Sequence, residues 1–332
     1  MESSSGRWPL PGLDKAAYPV ARSDIVTPGP VPVQVANQRF VVWRRRTGEV
    51  VGMEDRCPHR NAPLSLGRVE GDRIACAYHG WAFGPEGACV HSPALDEPAP
   101  HAVPTVTCRE REGLVWIGAG PLPPSFGTPT ARLDQDFECP LELVAENILD
   151  ATHTPFLHRG LFREPSRTPR TVEIRRERSR VTARYLDEPP PTGWLGRALG
   201  GLSADRVEHE DCFVSPCTTI VSYARGDVRL EIWSYLCPRT TEHTRLFGQA
   251  KLEGPEWLVR VAGRVVPPLA QRVLQQDARI LAAQNRNVHA FGGPRFVHTE
   301  ADVMAKHIRH LLSAAERGHL GGDREERVQV WL

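Results

Sequence analysis

The sequence predicts an α+β protein in two parts, an all-β first part and a second part in which an antiparallel sheet carries long helices. Three observations predict it. Short β-branched and aromatic runs broken by turn residues fill the stretch from Tyr18 to Gly118. A proline- and glycine-rich tract, Gly118-Ala-Gly-Pro-Leu-Pro-Pro-Ser-Phe-Gly-Thr-Pro, follows and reads as a linker. Beyond it, strand-like segments precede two helix-like ones, the order expected where a helix packs across a sheet. The parts are expected to span residues 1–130 and 131–332, and 332 residues suffice for two cores.

The elements follow in order. Val31-Pro-Val-Gln-Val35 and Phe40-Val-Val-Trp43 read as strands, the first an edge strand because Pro32 cannot donate to a ladder. Thr47-Gly48 is a turn before Val50-Val51, and Leu114-Val-Trp-Ile117 closes the first part. A helix is expected from Val144 to Thr154, stopping because a residue before Pro155 is pushed out of the helical region. Val172 to Tyr185, Thr218 to Ala224, Val228 to Leu236 and Thr244 to Leu252 read as strands of one sheet. Helices are expected from Pro267 to His289 and from Glu300 to Gly318, the latter with Asp302 as an acid in its first turn.

Composition narrows the function classes. Lys+Arg 41 against Asp+Glu 40 gives a net charge of +1, which excludes a general nucleic-acid binder. No signal peptide is visible and no uncharged apolar run approaches the roughly 18 residues of a membrane span, so a cytoplasmic location is expected. In that reducing compartment the eight cysteines point to metal or redox chemistry before disulfides.

Two cysteines stand in paired clusters with histidines. Cys57-Pro-His59 and Cys76-Ala-Tyr-His79 are sixteen residues apart, and both sit in turn-forming sequence. Two sulfur and two nitrogen ligands suit tetrahedral zinc or a [2Fe–2S] cluster. The Cys-x-His spacing is uncommon among zinc modules, where pairs of cysteines dominate. A Rieske centre takes one Cys and one His from each of two such loops, and its neutral imidazoles raise the reduction potential. The segment Cys57-Pro-His-Arg-Asn-Ala-Pro63-Leu-Ser-Leu-Gly67 with Cys76-Ala-Tyr-His-Gly80-Trp81 resembles the Rieske domain of non-haem iron Rieske oxygenases. The other cysteines (Cys89, Cys108, Cys139, Cys212, Cys217 and Cys237) lack such pairing and read as buried hydrophobes.

A second constellation lies in Glu146-Asn147-Ile-Leu-Asp150-Ala-Thr-His153-Thr-Pro-Phe-Leu-His158. Asn147, Asp150 and His153 would share one helix face, and Pro155 would let His158 swing back toward His153. Two histidines and a carboxylate form the facial triad of non-haem Fe(II) oxygenases. The stretch resembles the mononuclear-iron motif of the same family, which implies ligation by His153 and His158. Asp277 stands among Val273, Leu274, Ile280 and Leu281, so it is either a carboxylate whose burial a metal compensates or one at the stripe's margin paired with Arg. The family places its carboxylate ligand on a late helix, and Asp277 matches. Asp150 could orient His153; the resemblance implies that it also bridges electrons from His79 of a neighbouring subunit in a head-to-tail trimer.

Softer signals complete the reading. Phe156, Leu157 and Phe162, with Trp233 and Tyr235, either line an apolar substrate pocket or belong to the core. The arginines between Arg159 and Arg184 are an anion-orienting group or, more simply, an exposed charged face. Arg56, Arg60 and Arg68 flank the cluster loops and suit a docking electron donor. No glycine fingerprint for flavin or NAD(P)H appears, so electrons would come through a ferredoxin or flavin reductase.

The resemblance covers nearly the whole chain, a Rieske domain followed by a helix-grip catalytic domain, and is nearest to the shorter oxygenase components of the vanillate O-demethylase and dicamba monooxygenase type. It implies O2 as co-substrate and hydroxylation or oxidative demethylation of a small aromatic or alicyclic molecule. Cis-dihydroxylation is the alternative outcome. A Rieske electron carrier or structural zinc protein is the alternative class, though neither needs some 200 further residues.

Overall fold

The structure is a computed structural model that describes residues 10–27, 29–161, 168–188 and 207–331. Two compact units partition it, one of Gly12–Ser125 and one that joins the residues up to Pro11 to those from Phe126 onward.

The first unit holds eleven strands among the described residues: β1 (Tyr18–Arg22), β2 (Val31–Val35), β3 (Gln38–Arg44), β4 (Val50–Glu54), β5 (Arg68–Glu70), β6 (Arg73–Ala75), β7 (Ala82–Phe83), β8 (Cys89–His91), β9 (Thr105–Val106), β10 (Cys108–Arg111) and β11 (Leu114–Ile117). They form three small sheets, β1-β11-β10, β2-β3-β4-β9 and β5-β6-β7-β8. Strand β3 explains the layering. Its alternate residues serve two cores, because successive side chains of a strand point to opposite faces. Phe40 and Val42 pack with Val33, Val115 and Ile117. Val41 and Trp43 pack with Met53, Leu64, Ile74 and the two cysteines Cys57 and Cys76. The β2–β3 hairpin turns on Ala36 and Asn37, both at positive φ as a tight two-residue turn requires. Strand β2 is an edge strand, as Pro32 demands.

Among the described residues the second unit is built on an eight-stranded antiparallel sheet of order β12-β18-β17-β16-β15-β14-β13-β19. Its strands are β12 (Ala131–Phe137), β13 (Pro169–Arg178), β14 (Arg180–Glu188), β15 (Val207–Val214), β16 (Thr218–Arg225), β17 (Val228–Pro238), β18 (Thr244–Glu253) and β19 (Gly321–Trp331). The described helices are α1 (Leu141–Ile148), α2 (Thr154–Leu157), α3 (Glu256–Ala290) and α4 (Ala305–Glu316). Helix α3 crosses one sheet face, where Leu258 and Ala262 pack on Leu252 and Leu230. Further along, Gln271 Nε2 donates to Gln135 Oε1 at 2.9 Å.

Several expectations are corrected. The single strand expected from Val172 to Tyr185 is a hairpin, in which Val172 and Tyr185 are cross-strand partners. Arg178 makes the turn at φ +43° without a glycine or proline to announce it. Helix α1 ends at Ile148, not at Thr154, because Asp150 Oδ1 accepts from the Thr152 amide at 2.7 Å and hydroxyl at 2.6 Å. Such a local side-chain bond offers the backbone an alternative to the helix. Asn147, Asp150 and His153 therefore do not share one helix face. Helix α3 starts eleven residues before Pro267 and holds Pro267 and Pro268 inside it. Asp302 accepts from Thr299, closing a turn that precedes α4 instead of opening the helix. Strands β12, β15 and β19 were not expected.

Candidate metal centres

The two Cys/His loops of the first unit are built alike. In one, Asn61 N donates to Cys57 O at 2.8 Å and Cys57 N to Ala62 O at 2.9 Å. In the other, Gly80 N donates to Cys76 O at 3.1 Å and Cys76 N to Trp81 O at 2.8 Å. Each turn closes on a residue at positive φ, Asn61 at 60° and Gly80 at 71°, which are residue types that tolerate it. The loops lie close enough that a Cβ on Gly67 would stand 2.0 Å from Ala75 O. Asp55 fixes the first loop by accepting from Ser65 N and Oγ at 2.7 and 2.6 Å.

Within this frame both thiols are buried while the imidazoles face outward. The His59 and His79 ring centroids are 4.5 Å apart, and Trp81 stacks on His59 at 4.7 Å. His59 is half-buried and His79 exposed. Burial pushes the Cys57 thiol up to about 11, against backbone N–H groups near His59 and Arg60 that favour its thiolate. Two buried soft sulfurs beside two imidazoles, with His59 Nδ1 buried and without a hydrogen-bond partner, fit a cluster with one sulfur-held and one nitrogen-held iron. Exposed Leu66 and Tyr78 surround the tip.

The second site gathers three residues that the sequence keeps far apart. His153 caps α2, His158 follows its last turn, and Asp277 lies midway along α3. One ligand atom from each lies within 4.8 Å of the others. His153 Nε2 and His158 Nε2 are 3.2 Å apart, and Asp277 Oδ1 is 3.5 Å from the first and 3.1 Å from the second. Asp277 is 6% exposed, and its Oδ1 forms no well-aligned hydrogen bond. An ionised carboxylate so buried is costly unless a cation meets it. Two nitrogens and one oxygen converging from one side leave further coordination positions open, the donor set of a non-haem iron site. Leu281 and Asn285 are buried beside Asp277 on α3, but Ile280 is 48% exposed, so the apolar face is narrower than the sequence suggests.

Charge at this site is arranged around His153. Burial works to lower its imidazole, yet Asp150 and Asp277 carry it the other way, to about 9. Asp150 Oδ2 faces His153 Nδ1 at 3.5 Å. Burial would raise the Asp150 carboxyl, but His153 and Thr152 hold it below its ordinary value. Asn147, Phe156 and Leu157 line an open groove of about 1300 Å3 beside His153. Asn147 Oδ1 is buried there without a hydrogen-bond partner among the described residues. Phe162 lies outside the described residues. Trp233 and Tyr235 do not line the groove: strand alternation puts them on the sheet face opposite Leu230 and α3, with Trp233 against Phe126. Described arginines of β13 and β14 form ion pairs with carboxylates, Arg175 with Glu177 and Arg180 with Glu210, which favours the simpler reading of that region.

Two features escaped sequence reasoning. His158 Nδ1 meets Gln276 Oε1 at 2.9 Å, and nothing distinguishes Gln276 from Gln275 in the chain. On the sheet face under α3, buried His209 is clasped by Glu188 at 2.6 Å and Asp211 at 3.1 Å. Tyr185 and Tyr223 stack on its two sides, each at 4.3 Å. Cross-strand register, Tyr185 opposite His209 opposite Tyr223, is the signal that would have found it.

Comparison with known proteins places both halves. Residues 16–108 match the Rieske [2Fe-2S] domain family, and residues 137–318 match the vanillate O-demethylase oxygenase C-terminal domain family. The chain belongs to the Rieske oxygenases. Among relatives of this Rieske oxygenase is the oxygenase component of chloroacetanilide N-alkylformylase of Rhizorhabdus wittichii, 34% identical over 223 residues, 59% of this chain and 61% of that protein. The vanillate O-demethylase oxygenase subunit of a Pseudomonas species is 28% identical over 207 residues, 58% of each chain. The chain thus spans about three fifths of the length of these curated relatives. The crystal structure of dicamba monooxygenase bound to 3,6-dichlorosalicylic acid superposes with a TM-score of 0.78 at 21% identity, covering 92% of this chain and 98% of that one, and shows the fold. No described helix is long and apolar enough to cross a membrane.

Proposed function

We propose that the chain is the terminal oxygenase component of a cytoplasmic multicomponent system that hydroxylates or oxidatively dealkylates a small aromatic or alicyclic molecule. The observation that carries this reading is the triad itself: two imidazole nitrogens and a buried carboxylate oxygen converge in a chain that also holds paired Cys/His loops. Cys57, His59, Cys76 and His79 would hold the [2Fe–2S] cluster, and His153, His158 and Asp277 a mononuclear Fe(II). Loaded, the two groups supply one-electron transfer and the activation of O2. The chain's residues then have separable tasks. Asp277 neutralises positive charge in a site too buried for water to do so. Asp150 orients His153 through Nδ1 and keeps its negative charge. The names of the relatives, an N-alkylformylase and an O-demethylase among them, favour dealkylation over cis-dihydroxylation.

The exposed tip of Leu66, Tyr78 and His79 suits delivery of electrons to a second copy. Asp150 borders a recess with Asn147, Gln284 and Asp302, and exposed Phe156 and Phe291 stand along the adjoining groove. These surfaces support the head-to-tail homotrimer, in which Asp150 would bridge to the partner's cluster. Arg56, Arg60 and Arg68 around the loops suit an acidic ferredoxin or flavin reductase as donor of electrons from NAD(P)H.

Metal analysis tests the reading. The purified chain is expected to give a Rieske EPR signal and one further iron per chain; bound zinc without visible absorption would overturn it. Asp150→Asn is expected to abolish substrate-coupled O2 uptake while both metals stay bound. Unchanged turnover would remove the bridging role.

A further inference from the structure

The residue next to the triad carboxylate does a second job. Asp277 Oδ1 lies 3.1 Å from His158 Nε2, while Gln276 Oε1 lies 2.9 Å from His158 Nδ1. Consecutive residues of α3 therefore grip the two nitrogens of one imidazole, which is itself 2% exposed. A carbonyl oxygen only accepts, so it requires the proton on Nδ1 and leaves the Nε2 lone pair directed at the point where His153 Nε2 and Asp277 Oδ1 converge. The opposite amide orientation would put an N–H against Nδ1 and force the proton onto Nε2, where it would block ligation. His153 has a carboxylate, Asp150, at the corresponding nitrogen. The group facing Nδ1 is thus anionic for His153 and neutral for His158, and only His158 is hydrogen-bonded to it.

We propose that Gln276 is a positioning residue that fixes the tautomer and ring orientation of His158 for metal binding by the triad. This inference rests on the reading of the triad as a metal site. Gln276 touches neither substrate nor the reacting centre; it acts through His158. Its neutrality also limits the negative charge placed around that site, which already contains Asp277 and Asp150.

The test uses the full chain with its cluster loaded and the mononuclear metal removed by chelation. Co(II) is then titrated against a competing chelator, with the Rieske visible spectrum and the melting temperature as internal controls. Gln276→Met keeps the length of the side chain but removes the carbonyl acceptor. It is expected to weaken Co(II) binding roughly 10- to 100-fold, the usual cost of losing the partner of a ligating histidine, with both controls unchanged. Gln276→Glu restores an acceptor and is expected to bind Co(II) at least as tightly as the unaltered chain. Equal affinity in Gln276→Met and the unaltered chain would overturn the proposal. So would an equal loss in the Met and Glu variants, which would assign the effect to packing. Failure of the unaltered chain to take up Co(II) would instead overturn the metal-site reading, and the inference with it.

Discussion

A carboxylate among apolar neighbours is legible in a sequence: Val273, Leu274, Ile280 and Leu281 at helical spacing, with the family resemblance, pointed to Asp277, which is buried although Ile280 is exposed. His209 was not. Its local sequence, Val207-Glu-His-Glu-Asp211, reads as a solvated acidic stretch, and only cross-strand pairing puts Glu188 and two tyrosine rings around it. Burial works to lower this imidazole, but the charges of Asp211 and Glu188 outweigh it and bring it to about 9. That value exceeds the ~6.5 of an unfolded histidine. The resulting stability is therefore complete below about pH 6.5 and is lost as the pH rises through about 9. Unfolding followed by urea from pH 6 to 10 is expected to show this decline in the unaltered chain. In His209→Phe, stability should fall by roughly 3–5 kcal/mol at pH 7, the cost of leaving partners of a buried pair uncompensated. The decline attributable to this imidazole should then be absent.

At the scale of elements, strands with strong alternation and the long helix were legible, and the turns between them were less so. The β13–β14 hairpin turns through Arg178 and Ser179 with no glycine, proline or asparagine. The end of α1 depends on one side-chain acceptor, Asp150, whose choice between helix and turn a sequence pattern does not reveal. The long helix was expected to begin at Pro267, yet α3 runs through Pro267 and Pro268 from Glu256. In the cluster loops, by contrast, glycine carries direct meaning. Gly67 lets the first loop approach Ala75, and a Cβ there would displace backbone on both sides. Gly67→Ala is expected to cost about 1–3 kcal/mol, as overpacking does, and to lower the visible absorption of the cluster per chain. Gly29→Ala, where a Cβ meets nothing within 4 Å, is the control and should leave both unchanged.

For the whole molecule, the Rieske domain and the oxygenase domain that follows it were legible because short motifs and a Pro/Gly tract mark them, and both families match. Assembly was implied by the family resemblance alone, since exposed side chains such as Phe156, Phe291 and Tyr78 come from distant segments and form no motif. If the trimer passes electrons between subunits, two inactive chains can repair one another. On the proposed reading, His79→Ala removes a cluster ligand and His153→Ala removes a triad ligand. Trimers reassembled from an equal mixture are expected to regain part of the turnover, because an intact cluster on one subunit can face an intact triad on the next. Mixed trimers without activity would place the transfer within a single chain. The unequal setting of the two cluster imidazoles has a consequence for traffic. His59 lies against Trp81 and His79 is the more exposed of the two, so on the proposed reading the His79 edge would be the main port. A donor and an acceptor that both use this port must alternate there, and the dwell time of the first sets a ceiling on how often the second is served.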